Sequence, residues 1–219
     1  MGRRAVLAWA GIIGPVLFTA TYMAQEVVRR GEYSPMAEPI SALEVGPYGW
    51  VQQLNFVVFG VLTIGYALGL HIGVEHARFG AAGPGLLVLS GIGLVLAAVF
   101  PLRQDPAGET FDPGGHAVSG AMFFSCSALG LILLSRRLKH DDAWRPFAGY
   151  TLVAGLIALA GFVTMFAVVL PPGAPLEDWT GLAQRLLILL VLFPCRIALD
   201  VRLLRLASGP RLHRAAAGS

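Results

Sequence analysis

His116, Asp105 and Asp112 are the residues of this chain best suited to move a proton. Histidine titrates near neutrality, and a nearby carboxylate can orient its ring and favour its charged form. His116 follows Asp112-Pro-Gly-Gly, and Asp105 lies earlier in the same polar segment, so one of the two aspartates is expected to orient the imidazole. Arg185 offers a different chemistry. Its planar guanidinium can grip phosphate or carboxylate through two N–H groups at once. It stands inside an apolar run, where a cation is costly unless it meets an acid or an anionic ligand. Tyr33, Ser34 and Ser41 in one loop, and Asn55 in the apolar run after it, add hydroxyls and an amide that a ligand could bond. Together these residues predict a polar site for a lipid headgroup or another small amphipathic anion. Arg185 would hold the negative group and His116 would donate or accept the proton.

Ser41 also has a plainer reading. Ser41-Ala-Leu-Glu44 has the spacing of a capping box, in which serine and glutamate satisfy each other's backbone N–H. No Gly-x-Ser-x-Gly elbow surrounds it.

The elements that must position these groups are membrane helices. The chain has 219 residues, 56% of them apolar and only 13% charged. A soluble domain carries about 25% charged residues. A bilayer core of roughly 30 Å takes about 20 helical residues to cross. Six runs qualify: Ala5–Val28, Val51–Val74, Ala81–Pro101, Gly115–Ser135, Ala148–Leu170 and Trp179–Asp200. The expected fold is therefore all-α: one integral membrane domain, a bundle of six transmembrane helices, with residues 201–219 as a basic cytoplasmic tail. The first run is read as a retained span, since it shows no clean signal-peptide cleavage site.

Lysine and arginine placement orients the chain. With the N-terminus inside, the inner segments hold Arg3, Arg4, Arg78, Arg136, Arg137, Lys139, Arg145, Arg202, Arg205, Arg211 and Arg214. The outer loops hold only Arg29, Arg30 and Arg103. This bias predicts both termini in the cytoplasm of a multi-pass protein of the cell membrane. The inner connections read as short and bland. The outer segments are long, and the first, residues 29–50, reads as a lid over the bundle mouth because long unstructured loops in compact domains are uncommon.

Glycines at Gly65, Gly69, Gly83, Gly91 and Gly93 suit close helix crossings, and Pro15 predicts a kink. They do not read as a nucleotide loop, because no strand precedes them. Cys126 and Cys195 read as packing residues. No cofactor or metal site is expected, and the net charge of +3 is spread between apolar runs and forms no nucleic-acid patch. Arg196 and Asp200 are read as an exposed pair one turn apart at the inner end of the last span. The sequence is silent on oligomeric state.

Several short motifs occur in a recognisable order: Tyr33-Ser34-Pro35, Ile40-Ser41-x-Leu43, Phe100-Pro101 followed by Asp105, His116, and Gly181-x-x-Gln184-Arg185. In this the chain resembles the bacterial and archaeal membrane-protein family called domain of unknown function 998, from about Ala5 to Arg202. The resemblance implies a fold and no activity. The segment GETFDPG between Asp105 and His116 departs from the usual pattern, so which aspartate corresponds is left open. Three kinds of function stay in view: an outer site for a lipid or amphipathic ligand, with or without catalysis; a small-molecule transporter or channel; and a non-catalytic scaffold or sensor. The transport reading needs a polar route past Ser90, Ser127 and Thr164.

Overall fold

The computed structural model describes residues 3–75, 80–169 and 173–208. It is built almost wholly of helices: α1 Arg3–Val28, α2 Gly49–Gly73, α3 Ala82–Val99, α4 His116–Leu138, α5 Arg145–Thr164, α6 Thr180–Leu187 and α7 Phe193–Ser208. A π turn, Met165–Val169, extends α5, and another, Ile188–Leu192, joins α6 to α7. Pro194 explains the second. It has no N–H to give and its ring crowds the carbonyl four residues back, so the helix widens just before it.

Among the described residues, five stretches are long and apolar enough to cross a membrane: Arg3–Val28, Gly49–Gly73, Ala82–Val99, His116–Leu138 and Arg145–Val169. This is a multi-span membrane protein. The sixth expected span coincides with α6, the π turn and the first half of α7, which is compatible with a sixth crossing. Its helix runs on to Ser208, past the expected end at Asp200. Residues 209–219 of the basic tail, with His76, Arg78 and His213, lie outside the described residues.

Helices α1 to α5 pack each against the next, and the α6–α7 rod lies against α5 and α1. Small residues allow the approach: a Cβ on Gly60 or Gly91 would fall 2.6 or 2.7 Å from the other's carbonyl oxygen.

Pro15 sits inside α1 and leaves the Gly11 carbonyl without its helical donor. Arg196 supplies one. Its Nε donates to Gly11 O at 3.2 Å, Nη2 to Ala10 O at 3.2 Å, and Nη1 to Thr63 Oγ1 at 2.7 Å. The guanidinium also stacks over Phe59 and Tyr66, 5.0 and 4.7 Å from the ring centroids. Arg196 and Asp200 are thus not an exposed pair. Both are buried, and neither oxygen of Asp200 has a hydrogen-bond partner. The helix continues past them, so they lie within the bundle and not at its rim.

The end of the bundle that holds His71 and Trp144 is also less bland than expected. Arg137 reaches from α4 across the C-terminus of α2, where carbonyls lack helical donors. It donates to Glu75 O at 2.9 Å, Gly80 O at 2.7 Å, His71 O at 2.9 Å and Val74 O. Trp144 Nε1 donates to Gly73 O at 3.2 Å, and Asp141 accepts from Glu75 N at 2.9 Å.

Candidate functional site

The other end gathers the loop after α1, a small hairpin and the start of α6. Two clusters of the expected site residues form there, on either side of the loop.

The first centres on Arg185, which is buried at 8% exposure. Nε donates to Glu26 Oε1 at 3.2 Å, and Nη2 to Glu26 Oε1 and Tyr33 Oη, both at 2.5 Å. Nη1 donates to Glu38 O at 3.1 Å and Gly181 O at 2.9 Å. A guanidinium has five N–H groups, and these contacts employ all of them. Arg185 therefore holds the loop and has no donor left for a ligand.

The Tyr33 hydroxyl passes the connection on, reaching Glu38 O and Pro39 O, each at 3.0 Å. Burial pushes its phenol up to about 12, against the opposing pull of Arg185, so it stays a neutral donor. Backbone bonds reinforce the clamp: Leu182 N donates to Met36 O at 3.0 Å, and Ile40 N to Gln184 Oε1 at 2.7 Å. Gly181 makes room for it. A Cβ there would sit 2.3 Å from Glu38 O and 2.4 Å from Pro35 O. Ser34 is exposed, and it takes part only in the local turn, through Glu38 and Ala37.

The second cluster centres on His116, the first residue of α4. Asp112 caps that helix. Its Oδ1 accepts from Gly114 N at 2.8 Å and His116 N at 3.3 Å, and its Oδ2 from Ala117 N at 2.8 Å. Slight burial works to raise the Asp112 carboxyl, but the backbone donors outweigh it and hold the group below its ordinary range. Asp105 lies in the exposed turn between β1 (Arg103–Gln104) and β2 (Thr110–Phe111), accepting from Ala107 N at 2.9 Å and Glu109 N at 2.8 Å. Neither aspartate meets the imidazole ring.

The carboxylate that does is Glu44. His116 Nδ1 lies 3.2 Å from Glu44 Oε2 and 3.1 Å from Phe100 O, so Nδ1 is assigned the proton. The Glu44 side chain is 0% exposed, and its Oε1 has no hydrogen-bond partner. Burial pushes the carboxyl up to about 8, with the N–H of Leu102 opposing. Near neutrality it therefore carries its proton.

This overturns the capping-box expectation. Ile40–Glu44 forms a 3₁₀ helix whose N-cap is Pro39, with no side-chain cap. The Glu44 side chain turns to His116 and Leu102 and not back to Ser41.

Ser41 and His116 both line a cavity of about 230 Å³ between the helices. Its walls are apolar, with Phe18, Phe56, Phe59, Phe123, Phe124 and Phe166 contributing. Gln184 and Thr180 add polar atoms to its lining. Asn55 lies apart, buried, its Nδ2 bonding Phe18 O at 3.1 Å and Gln52 Oε1 at 3.2 Å, which ties α2 to α1.

Sequence reasoning missed Glu44, Gln184 and Gly181 as parts of the site. Glu44 did carry a signal: it is an acid flanked by Leu43 and Val45, both of which are buried.

Comparison with curated proteins and with solved structures finds no match for the chain. The family described as protein of unknown function (DUF998) matches residues 12–196, and the chain belongs to that family.

Proposed function

We propose that the protein binds an amphipathic molecule within the membrane, its apolar part in the 230 Å³ cavity and its polar group at His116, Ser41 and Gln184. The observation that carries this reading is the cavity itself: aromatic walls, with the His116 imidazole at one side. The volume exceeds the roughly 150 Å³ that takes up benzene and falls short of the roughly 300 Å³ at which drug-sized pockets begin. It suits one end of a lipid tail better than a whole lipid.

With Arg185 committed to the loop, the ligand needs no net negative charge. Binding is favoured over catalysis, because His116 is engaged by Phe100 and Glu44 through Nδ1 and makes no hydrogen bond to Ser41. Both termini are placed in the cytoplasm and the cavity toward the outer face of the cell membrane, on the lysine and arginine bias.

Gly120 provides the test. It lines the cavity, and a Cβ there meets nothing within 4 Å. The protein purified in mild detergent is expected to retain a lipid or other amphiphile by native mass spectrometry, and Gly120→Leu to lose it while melting no lower. Equal retention in both would refute the reading. Reporter fusions that place the loop bearing Tyr33 in the cytoplasm would overturn the orientation.

A second reading, transport, is favoured by a smaller cavity that shares Phe59 and Phe123 with the first and reaches Thr63, Ser90, Ser127 and Arg196. The route does not include Thr164, which is exposed on the outside of the bundle.

A further inference from the structure

Asp200 is fully buried at 0% exposure, and both of its carboxyl oxygens lack a hydrogen-bond partner. The hydroxyl of Tyr66, on α2, is buried and unpartnered as well. The two side chains close together over Gly11 of α1. A Cβ at Gly11 would lie 1.2 Å from Asp200 Oδ2 and 3.0 Å from Tyr66 Cδ2.

The charged and titratable groups around Asp200 are few. Arg196, one turn earlier on its own helix, directs its N–H groups to Gly11, Ala10 and Thr63. Tyr66 faces it from α2. Cys195 is buried beside Thr151 of α5. From α1 comes Gly11, which does not titrate. An ionised carboxylate left bare in such surroundings is far costlier than its neutral acid.

The smaller cavity has a volume of about 30 Å³, above the roughly 10–15 Å³ a cavity needs to hold one water. Thr63, Tyr66, Ser90, Ser127 and Arg196 line it, so a water there would have polar partners. Tyr66 thus touches this cavity and, over Gly11, Asp200.

We propose that Asp200 is the proton-binding residue of a second site in the bundle interior, and that its protonation decides where Arg196 bonds. With Asp200 protonated, Arg196 supports the carbonyls of α1 in the turn before Pro15, the arrangement described above. With Asp200 ionised, the carboxylate draws the guanidinium away and leaves Gly11 O without a donor. Proton uptake is thereby coupled to how α1 sits on α7, whatever occupies the larger cavity.

Infrared difference spectroscopy of the full-length protein in lipid nanodiscs, titrated over pH, tests this. Glu44→Gln serves as the background, since it removes a second carboxyl that burial keeps protonated. The carbonyl stretch of a protonated carboxyl is expected to disappear as the pH is raised, and to be absent above about pH 6, where exposed carboxyls are ionised, once Asp200→Asn is added. Identical spectra with and without Asp200→Asn would overturn the proposal. Should Asp200→Asn fail to fold, labelling the aspartate carboxyls with carbon-13 carries the test. The heavier carbon is expected to move the band to lower frequency, and an unmoved band would overturn the assignment.

Discussion

Arg196 donates through Nε to the carbonyl oxygen of Gly11, 3.2 Å away, and that oxygen is the one Pro15 leaves without a helical N–H. A cation from the far end of the chain thus repairs a break in the first helix. Arg196→Met keeps much of the side-chain volume but removes the repair. It is expected to lower stability by about 1–3 kcal/mol in thermal unfolding in detergent. Pro15→Ala restores the helical N–H, so the same substitution made in that background should cost less. An equal cost in both backgrounds would rule out this account of Arg196.

Gly181 lets the loop at Pro35–Glu38 lie directly on α6. Gly181→Ala places a methyl group 2.3 Å from Glu38 O and 2.4 Å from Pro35 O, both backbone atoms. The loop must lift, at about 1–3 kcal/mol. Hydrogen exchange should show faster exchange at Ile40 and Leu182, whose N–H groups bond across the contact, and unchanged exchange in α3.

Glu44 gives stability a pH dependence of definite sign. Its carboxyl is raised from 4.5 to about 8 in the folded protein, so the fold holds a proton that the unfolded chain releases earlier. The contribution is complete below pH 4.5 and is lost as the pH climbs to about 8. The slope has an upper limit of roughly 1.4 kcal/mol per pH unit. Glu44→Gln mimics the neutral acid and should flatten the fall in melting temperature across this window. A wild-type curve already flat there would contradict the burial of Glu44 against His116.

At the opposite end, Arg137→Ala strips the carbonyls of Glu75, Gly80, His71 and Val74 of a shared donor. A loss of about 3 kcal/mol is expected, because buried acceptors are left bare. Retention of an amphiphile in the cavity should survive in the fraction that stays folded, since the cavity lies among other residues. A specific loss of retention at full stability would tie the two ends together.

The helices were legible because hydropathy over a window of twenty or so residues is set by lipid and not by neighbours in the fold. The crossing at Pro15 was legible too, as a proline inside an apolar run. What local pattern could not supply was partners. Glu26 and Arg185 are 159 residues apart, and no spacing rule connects them. Ser41 and Glu44 matched a local motif, yet the short segment formed a 3₁₀ helix, and tertiary contacts with His116 and Leu102 claimed the glutamate. Asp112 was expected to orient the His116 ring, but it bonds the backbone that starts the helix and not the ring. Arg196 and Asp200 were misplaced because charge was taken to mark the end of a span, whereas the helix carries both inward.

The clamp between the first loop and α6 also sets an order of assembly. Chains are made from the N-terminus, and Ile40 waits 144 residues for Gln184. Until α6 is synthesised, Glu26 and Tyr33 have no guanidinium to meet, and the loop has nothing to fasten to. The cavity is therefore completed only once α6 has been made. A ribosome-bound chain stopped before Thr180 would present an open groove and a Glu26 without its guanidinium.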